Sequence, residues 1–265
     1  MARPELVPQK ARLAMPESQD SIQHVKPFIY ENPNSRALHF SMCEVQSRMQ
    51  LLDPHALTLE YTRTMMGFLL FNPAPGNIAM IGLGGGSLAK FCYRHLPESH
   101  IRVVEINPHV IALRDEFQVP PDDKRFTVLR GDGAQFVRDA SNRCDVLVVD
   151  GFDSDGLPAR LCSQRFYDDC RKALQPGGIM VVNLHCGHPR YTKHLDRIRH
   201  SFDDALLVVG DGEQSNSIAF ACNGTALERR LPGVLRRPKN LDRIAADQLL
   251  AAFALIASAL KDQRR

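Results

Sequence analysis

The chain of 265 residues carries 33 Lys and Arg against 30 Asp and Glu, a formal net charge of +3, which argues against a dedicated nucleic-acid binder. Its 44% hydrophobic and 24% charged residues are typical of a globular protein and exclude a largely disordered one. No apolar run approaches the roughly 18–20 residues that span a bilayer, and residues 1–20 lack the apolar core of a secretory signal. We therefore expect a cytoplasmic protein without a membrane segment, whose seven cysteines remain reduced thiols.

The first 56 residues are predicted to form two parts. Residues 1–24 are polar, contain several prolines and follow no sustained period, which predicts a mobile N-terminal arm. Residues 25–56 hold three short apolar runs, the first two separated by the turn-forming sequence Asn-Pro-Asn-Ser at 32–35. This pattern predicts a small antiparallel β unit that packs on the rest of the chain.

Residues 57–265 are predicted to form one larger domain. A helical pattern at 57–71 is followed by strand candidates at 78–83, 101–106, 126–129, 145–149, 179–184, 205–209 and 217–222. Helices are predicted between them at 88–95, 108–116, 134–138, 164–174 and 191–202, and a packing helix at 241–260. This alternation predicts an α/β fold with a Rossmann-like, doubly wound sheet of seven strands. Because only residues 210–216 join the last two strands, we expect that pair to be antiparallel.

A cluster of glycines follows the first strand of the predicted sheet. Gly82, Gly84, Gly85 and Gly86 lead from residues 78–81 into the next helix. Glycine permits a positive φ and lets a ligand approach the backbone, while a helix N-terminus offers unpaired N–H groups. The sequence therefore predicts a site for a nucleotide-type ligand at this loop.

Acidic residues stand where the next three strands end. Glu105, followed by Ile106, is placed to accept both ribose hydroxyls of a nucleoside. Asp132, followed by Gly133, is placed to accept the amino group of an adenine, and Asp150 ends the fourth strand. Because the carboxyl ends of parallel strands meet at one crevice, we expect these residues and the glycine loop to line a single site.

A nicotinamide-dependent dehydrogenase is an alternative interpretation of this pattern. Gly84-x-Gly86-x-x-Ala89 fits the dinucleotide fingerprint. Against it, the chain contains no Tyr-x-x-x-Lys pair and no second substrate domain, and the acids beyond Glu105 have no role in hydride transfer.

One cluster resembles a metal site. His185, Cys186 and His188 fall within four residues after the fifth predicted strand. Three ligands so close in sequence rarely converge without others, so a loop that lines the crevice is the favoured interpretation, and we expect no metal.

The order and spacing of these features over residues 26–222 resemble the spermidine synthases, or polyamine aminopropyltransferases. The resemblance lies in Val45-Gln46, Glu60-Tyr61, Gly84–Gly86, Glu105, Gly131-Asp132-Gly133, Asp150 with Asp153, Phe166-Tyr167 and residues 174–178. It implies the methyltransferase type of Rossmann-like sheet and an adenosyl-donor-binding catalytic domain at 57–265.

The resemblance also implies an activity, the transfer of an aminopropyl group from decarboxylated S-adenosylmethionine to a polyamine such as putrescine, without a metal. The glycine loop, Glu105, Ile106, Asp132, Gly133 and Gln46 would hold the donor. Asp150 would deprotonate the attacking amine, and Asp153 and Tyr61 would bind the acceptor. Members of the family form dimers or tetramers, which implies a homodimer or homotetramer.

Two departures from the family pattern leave alternatives open. Ser87-Leu88 replaces the Asp-Gly pair whose acid binds the amine of the decarboxylated donor. Ordinary S-adenosylmethionine, and with it methyl transfer on the same fold, is therefore the second hypothesis, and a non-catalytic nucleoside-binding relative is the third. Arg63 replaces an expected Glu, which would turn a positive charge toward a cationic diamine.

Overall fold

The N-terminal part of the chain forms a separate three-stranded antiparallel sheet, as predicted. In the computed structural model, which describes residues 24–41, 45–139, 141, 143–152, 156–210, 216–228 and 241–263, its strands are β1 (Phe28–Glu31), β2 (Ser35–His39) and β3 (Val45–Gln50). The Asn32 side chain accepts the backbone N–H groups of Asn34 and Ser35, which closes the turn between β1 and β2. Leu38 and Met49 insert into the main core, because three short strands cannot bury enough apolar surface alone.

The second sheet has seven strands in the order β6-β5-β4-β7-β8-β10-β9. The strands are β4 (Asn77–Ile81), β5 (His100–Glu105), β6 (Phe126–Arg130), β7 (Cys144–Val149), β8 (Leu174–His185), β9 (Leu206–Gly210) and β10 (Asn216–Cys222). The first five in spatial order are parallel, whereas β10 is antiparallel to both β8 and β9. The predicted Rossmann-like sheet and its antiparallel last pair are confirmed.

Helices cover both faces of this sheet. They are α1 (Glu60–Met65), α2 (Ser87–His95), α3 (Pro108–Ile111), α4 (Gly133–Phe136), α5 (Gln164–Ala173), α6 (Tyr191–Ser201) and α7 (Arg243–Gln263). The helix predicted at 108–116 is shorter, because beyond Ile111 the backbone forms turns in which most bonds join residues three apart. Gln118 then takes a left-handed φ of 52°, and the N–H of Val119 bonds to the carbonyl of Arg114, which closes the segment.

The helix predicted at 57–71 changes its type at Met66, where α1 continues as a 3-10 helix over Met66–Leu70. Gly67 lies in this tighter turn, and a Cβ there would stand only 2.1 Å from the Cδ1 atom of Ile256 on α7. Contrary to the expectation that no apolar run is long enough, α7 could cross a membrane by length and composition alone, with a mean hydropathy of 1.5. Its side chains Leu249, Phe253 and Ile256 are instead buried in the same core as α1, so α7 packs against the domain as predicted.

Candidate active site

A cavity of about 610 Å³ opens at the carboxyl ends of β4, β5, β7 and β8, with β3 and α1 on its other side. Ligand sites of open parallel sheets lie at this edge. The predicted site residues on its wall are Gln46, Tyr61, Gly82, Gly84, Glu105, Ile106, Asp132, Gly133 and Asp150. The predicted acceptor residue Asp153 lies outside the described residues.

The glycine loop brings backbone to the cavity wall at two positions. Gly82 has a φ of 95°, and a Cβ there would stand 2.1 Å from the carbonyl oxygen of Asp150. Gly84, with a φ of 52°, also lies on the wall. The absence of side chains at Gly82 and Gly84 therefore lets β4 and β7 end side by side and leaves the loop backbone open to a ligand.

The two following glycines shape the loop from behind and do not lie on the cavity wall. A Cβ at Gly85 would stand 2.7 Å from Ser47 Oγ, and one at Gly86 would stand 2.5 Å from the Cγ2 atom of Val119. Gly86 also takes a φ of 70° at the start of α2, a conformation that side chains disfavour. Both glycines were predicted to bind the donor, and this contact stays a prediction. The structure shows that neither position has room for a side chain.

Glu105 is held in one orientation at the end of β5. Its Oε2 atom accepts the N–H of Leu83 at 2.9 Å, and its Oε1 atom accepts the N–H of Asn107 at 2.8 Å. Burial raises the pKa of this carboxyl, while the backbone N–H groups around it act in the opposite direction. The carboxylate lies on the cavity wall, where its oxygens can accept a further donor, such as a ribose hydroxyl.

Asp132 and Arg160 form an ion pair at the cavity wall. Asp132 Oδ1 accepts the N–H of Ala134 as the N-cap of α4, and Asp132 Oδ2 accepts Arg160 Nη1 at 2.6 Å. Sequence reasoning missed Arg160, because an arginine 28 residues from Asp132 carries no local signal. Gly133 is required for packing, since a Cβ there would stand 2.4 Å from the Cγ2 atom of Ile81.

Asp150 accepts hydrogen bonds on both carboxylate oxygens. Asn183 Nδ2 donates to Oδ1 at 2.9 Å, and the Tyr61 hydroxyl donates to Oδ2 at 3.2 Å. Burial raises the pKa of Asp150 and is partly opposed by these two bonds, and it raises the pKa of Tyr61 as well. Asn183 was missed, although a polar residue inside the otherwise apolar run 179–184 was a usable signal.

Ser87 lies on the cavity wall, and its hydroxyl is 3.3 Å from that of Ser47 on β3. The pair is uncharged and can both donate and accept hydrogen bonds. This pair can therefore offer a ligand hydrogen bonds but no charge of opposite sign.

The expected effect of Arg63 on the charge of the site is wrong. Its Nε atom donates to the carbonyl of Leu57 at 2.8 Å and its Nη2 atom to that of Thr58 at 3.3 Å, and the residue does not lie on the cavity wall. The guanidinium instead satisfies carbonyls at the beginning of α1, so its charge is directed away from the crevice.

The last residue of β8 contributes a side chain to the cavity, next to the loop that was expected to line it. This residue is His185, whereas the His188 ring of the loop packs 5.4 Å from that of His194. Over the described ranges no group of three His, Cys, Asp or Glu side chains is placed to hold a metal ion. The six cysteines that the structure describes are free thiols.

Comparison with known proteins identifies the family. The model of the spermine/spermidine synthase domain matches residues 58–201, more than half of the chain. The polyamine aminopropyltransferase of Neisseria meningitidis serogroup A is 36% identical over 86% of this chain and 84% of its own length. That of Chromobacterium violaceum is 39% identical over 73% of this chain and 74% of its own length.

Solved structures show the same fold at lower identity. A spermidine synthase in complex with the transition state analogue AdoDATO aligns with a TM-score of 0.56 at 20% identity, covering 89% of this chain and 88% of its own. Human methyltransferase-like protein 13 in complex with SAH aligns with a TM-score of 0.57 at 22% identity, covering 77% and 93%. A spermidine synthase and a methyltransferase-like protein thus share this fold, so the fold alone does not identify the family. The sequence matches do: the chain belongs to the spermine/spermidine synthase family.

Proposed function

We propose that this protein transfers an aminopropyl group from decarboxylated S-adenosylmethionine to a small amine acceptor, with Asp150 as the base. The observation that carries the proposal is the Asp150 carboxylate on the cavity wall, oriented by Tyr61 and Asn183. The relatives named polyamine aminopropyltransferase, which match most of the chain, support this reaction class.

The chemistry requires a base because an aliphatic amine is protonated near neutral pH and has no lone pair for attack. Asp150 accepts this proton, and its raised pKa brings it closer to the operating pH than an ordinary Asp. The amine nitrogen then attacks the methylene carbon next to the sulfonium. The C–N bond forms while the C–S bond breaks, and 5′-methylthioadenosine leaves as a neutral thioether.

The proposed donor site follows the wall of the cavity. Glu105 would accept the ribose hydroxyls and Asp132 the adenine amino group, because both carboxylates are held by backbone N–H groups on the cavity wall. The other proposed donor contacts are Gly82, Gly84, Ile106, Gly133 and Gln46. Alignment of donor and acceptor in this cavity would supply much of the acceleration, since a sulfonium is already a good leaving group.

On the acceptor side, Tyr61 and Asp153 are the proposed contacts. Three further predictions accompany the proposal: putrescine as the acceptor, assembly as a homodimer or homotetramer, and a cytoplasmic location.

Mass spectrometry of the nucleoside product tests the proposal. The purified protein is incubated with decarboxylated or ordinary S-adenosylmethionine and with putrescine, spermidine or a small-molecule cell extract. We expect 5′-methylthioadenosine and an aminopropylated amine from the decarboxylated donor. Asp150→Asn should lower the rate about 10²–10⁴-fold.

Asp145→Asn is the matched control. Asp145 lies at the opposite end of β7, where it accepts the N–H groups of Gly76 and Asn77 far from the cavity wall. Its substitution should leave the rate nearly unchanged. Equal activity of the Asp150→Asn variant and the parent would refute the assigned base.

Methyl transfer from ordinary S-adenosylmethionine is the second candidate, and the uncharged pair of Ser47 and Ser87 favours it, because no acid at this position selects an ammonium. Formation of S-adenosylhomocysteine with a methylated product would establish it and refute aminopropyl transfer. Nucleoside binding without turnover of either donor would leave the third interpretation, a non-catalytic nucleoside-binding relative.

A further inference from the structure

Arg160 occupies the same end of the cavity as Asp132 and is the more exposed of the two. It lies in a short 3-10 helix, Ala159–Leu161, and both residues are on the cavity wall. The side chain of Arg160 is 53% exposed and that of Asp132 is 13% exposed. A ligand that reaches the Asp132 carboxylate therefore meets the guanidinium as well.

The ion pair leaves hydrogen-bonding capacity on both partners. Each oxygen of Asp132 accepts one bond within the protein and keeps a lone pair. The guanidinium of Arg160 has five N–H groups, and within the part of the chain that the structure describes it bonds to Asp132 alone. An acceptor and several donors thus stand side by side.

This arrangement complements the edge of an adenine. The N6 amino group is a donor, and the ring nitrogens on either side of it, N1 and N7, are acceptors. A carboxylate next to a guanidinium offers the reverse order, an acceptor beside a donor. A charged donor also makes a stronger bond than a neutral one.

We propose that Arg160 is a base-recognising residue of the donor site, which donates an N–H to N1 or N7 of the adenine while Asp132 accepts the N6 amino group. The inference rests on the proposed function, because it takes the adenosyl donor to lie in this cavity with its base at Asp132. Arg160 then has two tasks: it fixes the Asp132 carboxylate and it contributes a base contact of its own.

Binding of nucleosides without turnover tests this. The affinities of 5′-methylthioadenosine and of its 1-deaza and 7-deaza analogues are measured by isothermal titration calorimetry for the wild type and for Arg160→Met. In the wild type, one deaza analogue should bind about tenfold more weakly than the parent nucleoside, because it lacks the ring nitrogen that Arg160 contacts. Arg160→Met should weaken the parent by at least that factor and that same analogue by a clearly smaller one, since the analogue loses only the orientation of Asp132.

Arg165→Met is the control, since Arg165 is exposed on α5 and pairs only loosely with Asp169, at 3.8 Å. It should change none of the affinities, and melting temperatures show whether each variant is folded.

Three results would overturn the inference: equal binding of all three nucleosides by the wild type, an equal loss for all three in Arg160→Met, or tighter binding of the parent by that variant. Tighter binding of the parent nucleoside would mean that Arg160 only competes with the adenine for the Asp132 carboxylate. If the wild type binds none of the nucleosides, the donor site itself is wrong and the inference falls with it.

Discussion

Asn183 connects β8 to Asp150 on β7: its Nδ2 atom donates to Asp150 Oδ1 at 2.9 Å, and its own carbonyl oxygen is buried with no hydrogen-bond partner among the described residues. Asn183 is 4% exposed and lies on the cavity wall. A buried, unsatisfied oxygen carries a free-energy penalty. Its place beside the proposed base makes it a fitting acceptor for an N–H of the bound amine.

Asn183→Leu should lower kcat about 10–100-fold at pH 7 and move the acidic limb of the pH–kcat profile to higher pH. The reason is that the Asn183 N–H bond lowers the pKa of Asp150, so its loss leaves more of the carboxyl protonated at a given pH. A pH–rate series checks both effects. Asn77→Leu is the control, because Asn77 is exposed at the start of β4. If the acidic limb of the pH–kcat profile does not move in Asn183→Leu, the prediction is contradicted.

Asp150→Asn should make the protein more stable at pH 7–8 while it removes activity. Burial raises the folded-state pKa of Asp150 above its unfolded value, so the stability that the neutral carboxyl contributes is present at low pH and is lost as pH rises through the folded pKa. A neutral amide avoids this loss, and we expect a gain of about 1 kcal/mol, roughly 2–4 °C in Tm. In thermal melts, the Tm values of the parent and of Asp150→Asn should converge toward acid pH. A gain in Tm that is equal at every pH would show that the buried charge is not its cause.

Ser87→Asp should increase the preference for decarboxylated over ordinary S-adenosylmethionine by about tenfold in the ratio of their Kd values. A carboxylate at this position can pair with the ammonium of the decarboxylated donor and would repel the carboxylate of the ordinary donor. Competition binding with both donors measures the ratio. Ser87→Asn keeps the shape without the charge and should leave the ratio near the wild-type value. If Asn shifts it as much as Asp, charge is not the determinant.

Gly82→Ala should abolish stable folding or lower the free energy of unfolding by more than about 3 kcal/mol. A Cβ there would stand 2.1 Å from the Asp150 carbonyl oxygen, and the φ of 95° adds backbone strain. Gly177→Ala separates the two effects, since Gly177 has a φ of 78° and nothing within 4 Å of its Cβ position. It should cost only about 1 kcal/mol. Chemical denaturation compares the two variants, and similar losses would mean that strain alone accounts for Gly82.

The sequence by itself determined the fold and the edge at which the site forms. Uninterrupted apolar runs alternating with helical segments require a sheet covered on both faces, and parallel strands bring their carboxyl ends to one edge. The sequence therefore predicts that three acids lie together, namely Glu105, Asp132 and Asp150, and all three line the cavity. It also predicts the backbone of the cavity wall at Gly82 and Gly84. These are local properties of the chain, which a linear pattern records.

Only the tertiary structure decided which side chains surround those acids. Tyr61 reaches Asp150 across 89 positions, Asn183 across 33, and Arg160 reaches Asp132 across 28. The direction of the Arg63 side chain was decided in the same way, by carbonyls at the beginning of α1. No residue period encodes such contacts, because they depend on where strands and loops from separate parts of the chain come to lie. Burial raises the pKa of Asp150, and the contacts with Tyr61 and Asn183 orient its carboxylate and partly oppose that rise.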